Sequence, residues 1–213
     1  MQELEEGRSI AVISDAGLPG ISDPGQELVA AARASSFEVI SIPGPCAATT
    51  ALVSSGLPTD RFCFEGFLPS KGRERRDRLA FIASEQRTSV IYEAPHRLCQ
   101  LLEELFELCG EERPLQVARE LTKRHEQQVG PTVGAARNHF QEHSPQGECT
   151  VVLGGAVPIE IEALSDKQCS EQLLALTAEG MSAKDAAKLL SSRIGRSKRE
   201  LYALLHAETE QAD

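Results

Sequence analysis

Residues 14–29, SDAGLPGISDPGQELV, set Asp15 and Asp23 among glycines and prolines. They follow a short apolar run, residues 10–13, and lead into a helical pattern. An apolar run without alternation suits a buried parallel strand, while Asp23 and Pro24 suit the cap and first turn of the helix. Loops that leave the carboxyl end of a parallel strand are where open α/β sheets bind ligands. A second loop of the same kind, IPGPCAATTAL at residues 42–52, follows the strand-like FEVISIP and enters a helix of small side chains. Nothing bulky there keeps the backbone from a flat ligand. Two such loops can clasp a nucleotide-like molecule through main-chain N–H and C=O groups. Neither is a G-x-G-x-x-G or a Walker A sequence, so NAD and ATP are not indicated. Taken singly, each loop also reads as a pair of tight turns.

Charge points to a second kind of chemistry. The chain carries a net charge of −10, which argues against a generally basic nucleic-acid binder. Two islands run the other way: KGRERRDR at residues 71–78, and residues 184–200, where Lys and Arg outnumber Asp and Glu. Basic islands on an acidic body fit a polyanionic partner, and each alone also fits a solvated helix face. HFQEH at residues 139–143 matches the H-x-x-E-H pattern of inverted zinc proteases. No third ligand is evident and Ser144-Pro145 ends the helix, so a surface helix is the expectation and no metal is assigned.

The elements that must position these residues alternate. Strands are expected at 10–14, in FEVISIP, RFCFEGFLP, RTSVIYE, LQVARE, HEQQVG and GECTVVLGG, and helices in between, of which HRLCQLLEELFELCG is the most clearly amphipathic. This is an α/β pattern up to about residue 155. Beyond it come a linker, AVPIEIEALSD, and only helical sequence, with Ser182 and Ser197 placed as N-caps. Two short helices with basic residues at their joint resemble a helix-turn-helix; a plain helical hairpin gives the same pattern. The six cysteines lie far apart and suggest no disulfide framework. No apolar run approaches the roughly 18 residues of a membrane span, and residues 1–8 are too acidic for a signal peptide. A cytoplasmic protein is therefore expected.

SDAGLPGISDPG, PGPCAATTAL, GLPTDRFCFEGFLPSKGRERR, YEAPHRL and ARELTKRHE stand here in an order and spacing that resemble the tetrapyrrole methylase-like family. The motifs are similar to those of its branch that methylates the ribose 2′-oxygen of a cytidine in small-subunit rRNA. The resemblance covers nearly the whole chain and includes the helical C-terminal extension. It implies a two-subdomain α/β fold: residues 1–60 as the remainder of an N-terminal cofactor-binding subdomain, 61–155 as a second α/β subdomain, and 156–213 as linker and helix-turn-helix-like extension. Family members open with a further strand, a P-I-G-N-L-like loop and an E-D-T-R-like motif. None of these is in this sequence, so the N-terminal part is expected to be truncated.

The resemblance further implies S-adenosylmethionine as cofactor, a homodimer, rRNA or a ribosomal subunit as partner, and neither membrane nor DNA. Asp15, Ala16, Gly17 and Leu18 match the cofactor-touching loop, and Cys46 and Ala47 match the small pair of the second loop. Glu93 and Gly130 fall at further cofactor positions, Glu93 in place of an apolar residue usual in the porphyrin enzymes. Methylating a ribose hydroxyl requires that the hydroxyl be held in line and relieved of its proton. His96, Glu120 and Lys123 are the candidates, a lysine serving when burial or a neighbouring cation depresses its pKa. As a plain alternative, Glu120 and Lys123 form a surface ion pair. Lys71, Arg73, Arg75 and Arg76 would meet RNA phosphates, as would Arg196, Lys198 and Arg199 of the extension. Phe64 and Phe67 could stack on a base, with strand alternation sending one of them to the core. A corrin or porphyrin methyltransferase and an inactive RNA-binding remnant are the alternative functions.

Overall fold

The structure, a computed structural model, describes residues 1–157, 164–178 and 180–209, in two compact units that divide after Val157. Helices α1 (Gln2–Glu5), α2 (Gln26–Ala34) and α3 (Ala47–Ser54) precede β1 (Phe62–Phe67), α4 (Gly72–Ser84), β2 (Thr88–Glu93), α5 (Pro95–Cys109), β3 (Leu115–Arg119), β4 (Gln127–Val129), α6 (Val133–Glu142) and β5 (Cys149–Leu153). The strands form one mixed sheet in the order β1-β2-β5-β3-β4. Only β1 and β2 run parallel; the other neighbours are antiparallel. The middle strand, β5, is CTVVL and wholly buried, as a strand covered on both faces must be.

Period two in the strands sends alternate residues to two cores. On one face Ile91, Val117, Val151 and Leu153 meet α4, α5 and α6. The i, i+3, i+4, i+7 pattern of Leu98, Leu101, Leu102 and Leu105 explains why α5 lies flat there, each leucine fully buried. On the other face Val90, Ala118 and Val152 pack against Ala48, Ala51 and Leu52 of α3. Side chains this small let α3 sit close to the sheet.

Two expected strands are absent. Residues 10–14 and 37–43 form no ladder among the described residues, and Ile13, Ile40 and Ile42 are 86, 72 and 75% exposed. An apolar run becomes a strand only when a neighbouring backbone satisfies its amides, and the five-stranded sheet lies elsewhere in the chain. The start of α2 also differs from expectation: its N-cap is Gly25, with no side-chain cap, so neither Asp23 nor Pro24 plays the part the sequence offered.

In the second unit, α7 (Asp166–Ala178), α8 (Ala183–Ile194) and α9 (Lys198–Thr209) bury Cys169, Leu173, Ala186, Ala187, Leu190 and Leu201 among themselves. The Ser182 hydroxyl accepts from the Asp185 amide and the Ser197 hydroxyl from that of Glu200. Gly195 ends α8 in the left-handed conformation, the usual helix stop. Residues 158–163, the middle of the expected linker, lie outside the described residues.

Candidate functional site

The two loops meet. Gly17 adopts φ +76°, and a side chain there would stand 3.5 Å from the Pro45 carbonyl, while a Cβ on Gly44 would meet Leu18 at 3.8 Å. The positive φ calls for glycine at 17, while the 3.5 Å spacing is ordinary van der Waals contact and shows the two loops touching there. Ser14 folds its hydroxyl back onto the Ala16 carbonyl at 2.9 Å, which rounds the turn that carries Asp15. Further along the same loop, Ser22 Oγ lies 3.5 Å from the Cβ position of Gly66 in β1.

Tyr92, near the carboxyl end of β2, is the hub beneath them. Its hydroxyl accepts the Ala48 amide at 3.0 Å and lies 4.0 Å from Cys46 Sγ. Phe64 and Phe67 flank its ring, at centroid distances of 5.0 and 5.6 Å. Burial, aided by the nearby Cys46 thiol, pushes the Tyr92 hydroxyl up to about 12, so it stays a neutral hydroxyl. Burial also opposes a charge on Cys46, but the Thr49 and Ala48 amides at the start of α3 outweigh it and hold the thiol below its ordinary value. A helix N-terminus of small residues, two glycine loops and an aromatic cluster thus converge at one end of β2. Such a place offers main-chain donors and a flat apolar wall to a nucleoside-like ligand.

The aromatic pair departs from simple alternation. Glu65 is a bulge residue, skipped where the β1–β2 register passes from Phe64 to Gly66, so Phe64 and Phe67 both reach Tyr92. Both remain partly exposed, at 38 and 50%.

The other candidates are distributed more widely. Gly130 sits just past β4, three strands from β2 in sheet order, and packs on β3, where a Cβ would come 2.5 Å from the Leu115 carbonyl. His96 is exposed in the first turn of α5. Lys123 Nζ meets Glu120 Oε1 at 3.0 Å, with the lysine side chain 64% exposed and the glutamate 21%. Lys123 is thus largely solvent-facing; Glu120 and Thr122 hold the turn at φ +50° and +63°. His139 and His143 stack ring on ring at 4.5 Å, and His139 lies 3.3 Å from the Gln127 amide nitrogen.

Among the basic residues, Lys71, Arg73 and Arg76 are exposed on α4 or at its start. Arg75 corrects the expectation for it: it is 2% exposed, and its guanidinium is taken up by Glu104, Glu93 and the Pro69 carbonyl. Its position on α4 turns it toward α5 rather than solvent. Glu93 is fully buried and answers Arg97 Nε at 3.2 Å and the Ala94 amide at 3.0 Å. In the second unit Arg196 is engaged by Asp166 at 2.7 Å, whereas Arg199 is exposed and Lys198 half-buried. Sequence reading missed Tyr92, Arg97 and Glu104. No spacing rule flagged them, since Glu93 ends β2 while Arg97 and Glu104 lie on α5.

The sequence model of the tetrapyrrole (corrin/porphyrin) methylases matches residues 1–136, and that of the RsmI C-terminal HTH domain matches residues 163–209. Among curated proteins, the chain is 47% identical to the ribosomal RNA small subunit methyltransferase I of Synechocystis sp., over 96% of this chain and 73% of that protein. The Haemophilus influenzae protein of the same name is 41% identical over 98% and 75%, and the Mycobacterium tuberculosis one 41% over 99% and 73%. Among solved structures, the methyltransferase CobJ aligns with a TM-score of 0.55 at 23% identity, covering 73% of this chain and 68% of that one. Cobalt precorrin-4 methyltransferase CbiF aligns at 0.53 and 15%, covering 72 and 66%. These two likenesses speak for the fold. With both sequence models in chain order and relatives matched over nearly its full length, the chain belongs to the tetrapyrrole methylase family, in the branch of the ribosomal RNA small subunit methyltransferases I.

Proposed function

We propose that this protein transfers the methyl group of S-adenosylmethionine to the ribose 2′-hydroxyl of a cytidine in small-subunit rRNA. The observation that carries the reading is similarity above 40% to relatives bearing that name, running through both the methylase region and the C-terminal helical unit. A corrin or porphyrin substrate would need neither that unit nor the exposed cations of α4.

The loops fit the cofactor. Gly17, Gly44, Cys46 and Ala47 leave the backbone open, and Asp15 stands on the turn beside them, a carboxylate suited to a hydroxyl or amino group of the cofactor. When bound, S-adenosylmethionine supplies a sulfonium methyl whose leaving group needs no protonation. This chain has to exclude water, orient the hydroxyl and take its proton. Tyr92, Phe64 and Phe67 give the apolar wall. Glu120, Lys123 and His96 remain the candidates for the proton. Because Lys123 is paired and exposed, the Glu120 carboxylate is the better acceptor of the two, with Lys123 as a clamp on a phosphate or on Glu120 itself. Lys71, Arg73 and Arg76, with Lys198 and Arg199, provide contacts to the RNA backbone. Following the family resemblance, the protein works in the cytoplasm as a homodimer, which light scattering checks directly.

Calorimetric titration of S-adenosylmethionine tests the cofactor half. Saturable binding to one site per chain is expected, weakened at least about tenfold by Asp15→Ala, the loss of one charged hydrogen bond. A folded protein that takes up no cofactor would contradict the reading.

A further inference from the structure

We infer that Glu93 and Arg97 are positioning residues for the RNA-binding loop rather than parts of the cofactor site. The inference rests on the rRNA reading above for its consequence and on geometry for its substance. Four charged side chains, Arg75, Arg97, Glu93 and Glu104, meet where β2 ends, between α4 and α5. Arg75 grips the Glu104 carboxylate, its Nε at 2.9 Å and a terminal nitrogen at 2.6 Å, and reaches Glu93 at 3.6 Å. Arg97 meets Glu93 from the other side at 3.2 Å. Arg75 and Glu93 are the deeply buried pair, with Arg97 and Glu104 partly exposed at the edge of the cluster, and the two positive charges balance the two negative ones.

The cluster has spare donors, and all that are placed point one way. Arg75 donates to the Pro69 carbonyl at 2.9 Å; Arg97 donates to the Leu68 carbonyl at 2.9 Å and to that of Pro69 at 3.1 Å. Leu68 and Pro69 belong to the turn between β1 and α4, directly after Phe67 and, with Ser70 between, ahead of Lys71, Arg73 and Arg76. Their carbonyls have no ladder partner and are held by guanidinium groups instead. Glu93 holds both guanidinium groups at once, from a site with no solvent access. One of its oxygens accepts no well-formed hydrogen bond, although Arg75 lies near it. Its charge is thus spent on orienting two arginines, and through them the turn that presents the exposed cations. A buried carboxylate already committed in this way is not free to bind a cofactor group.

The test compares Glu93→Gln and Arg97→Lys with the unaltered full-length chain in three readouts: calorimetric affinity for S-adenosylmethionine, anisotropy with a fluorescein-labelled fragment of small-subunit rRNA, and hydrogen exchange of the amides at residues 70–76. Arg97→Lys is the gentler change, keeping a cation beside Glu93 while giving up the two-carbonyl grip; it serves if Glu93→Gln fails to fold. Cofactor affinity is expected to stay within about twofold, RNA affinity to fall about tenfold as two or three phosphate contacts lose register, and the amides to exchange about tenfold faster. Loss of cofactor affinity with RNA binding intact would overturn the inference, as would no change in RNA affinity with unchanged exchange. If the unaltered chain binds no rRNA, the functional reading fails on its own account. The exchange data then decide the positioning claim, unchanged protection in the folded Arg97→Lys variant contradicting it.

Discussion

Cys46 is the residue whose chemistry reports most simply on the loops. Its thiol is lowered by the amides at the start of α3, whereas burial raises those of Cys63, Cys109 and Cys149, the last to about 11. Near pH 8 iodoacetamide should therefore alkylate Cys46 faster than those three, and S-adenosylmethionine should protect it. Peptide mapping after timed quenching reads both effects, and an unprotected Cys46 would place the cofactor elsewhere. Tyr92 makes a second residue-scale case. Tyr92→Phe removes the oxygen that accepts the Ala48 amide at 3.0 Å, on a residue that is 4% exposed, and leaves that N–H only the weaker Cys46 sulfur. An unsatisfied buried N–H costs about 1–3 kcal/mol, to be read as a lower urea midpoint with an unchanged slope.

At the scale of elements, α5 carries the larger core. Leu102→Ala leaves a cavity under a fully buried side chain and should cost about 2–5 kcal/mol, again by urea unfolding. The same helix shows why much of the fold was legible: its leucines recur at helical period, and RTSVIYE and CTVVL are apolar runs of strand length between turn signals. The two loops were legible as a pair because each combined glycine with small residues after an apolar run. What failed was context. Residues 10–14 and 37–43 have strand composition, but pairing is a property of neighbours. Arg75 sits in the run KGRERRDR, whose composition says solvent; only the docking of α4 on α5 sets which of its arginines turns inward. Tyr92 was hidden for the same reason, since its contacts come from residues some 28 and 44 positions earlier.

For the whole molecule, phosphate contacts made through the basic islands, on a chain of net charge −10, predict an RNA affinity that falls steeply with salt. Replacing Lys198 and Arg199 by alanine removes two candidate phosphate contacts outside the first unit's core. The slope of log affinity against log salt should fall by about two while cofactor affinity is unchanged; a slope that stays put would remove the C-terminal helices from the RNA interface. The two units have separate hydrophobic cores, so a loss of RNA affinity in this variant need not trace to damage at the loops.

The most direct test of the central claim is methyl transfer itself. The protein is incubated with tritium-labelled S-adenosylmethionine and small ribosomal subunits from cells lacking the corresponding activity, and the rRNA is digested to nucleosides. Label on the ribose of a single cytidine, lost on Asp15→Ala, is the result expected here. Cofactor binding without label in rRNA, or label passing instead to a porphyrin or corrin precursor, would contradict it.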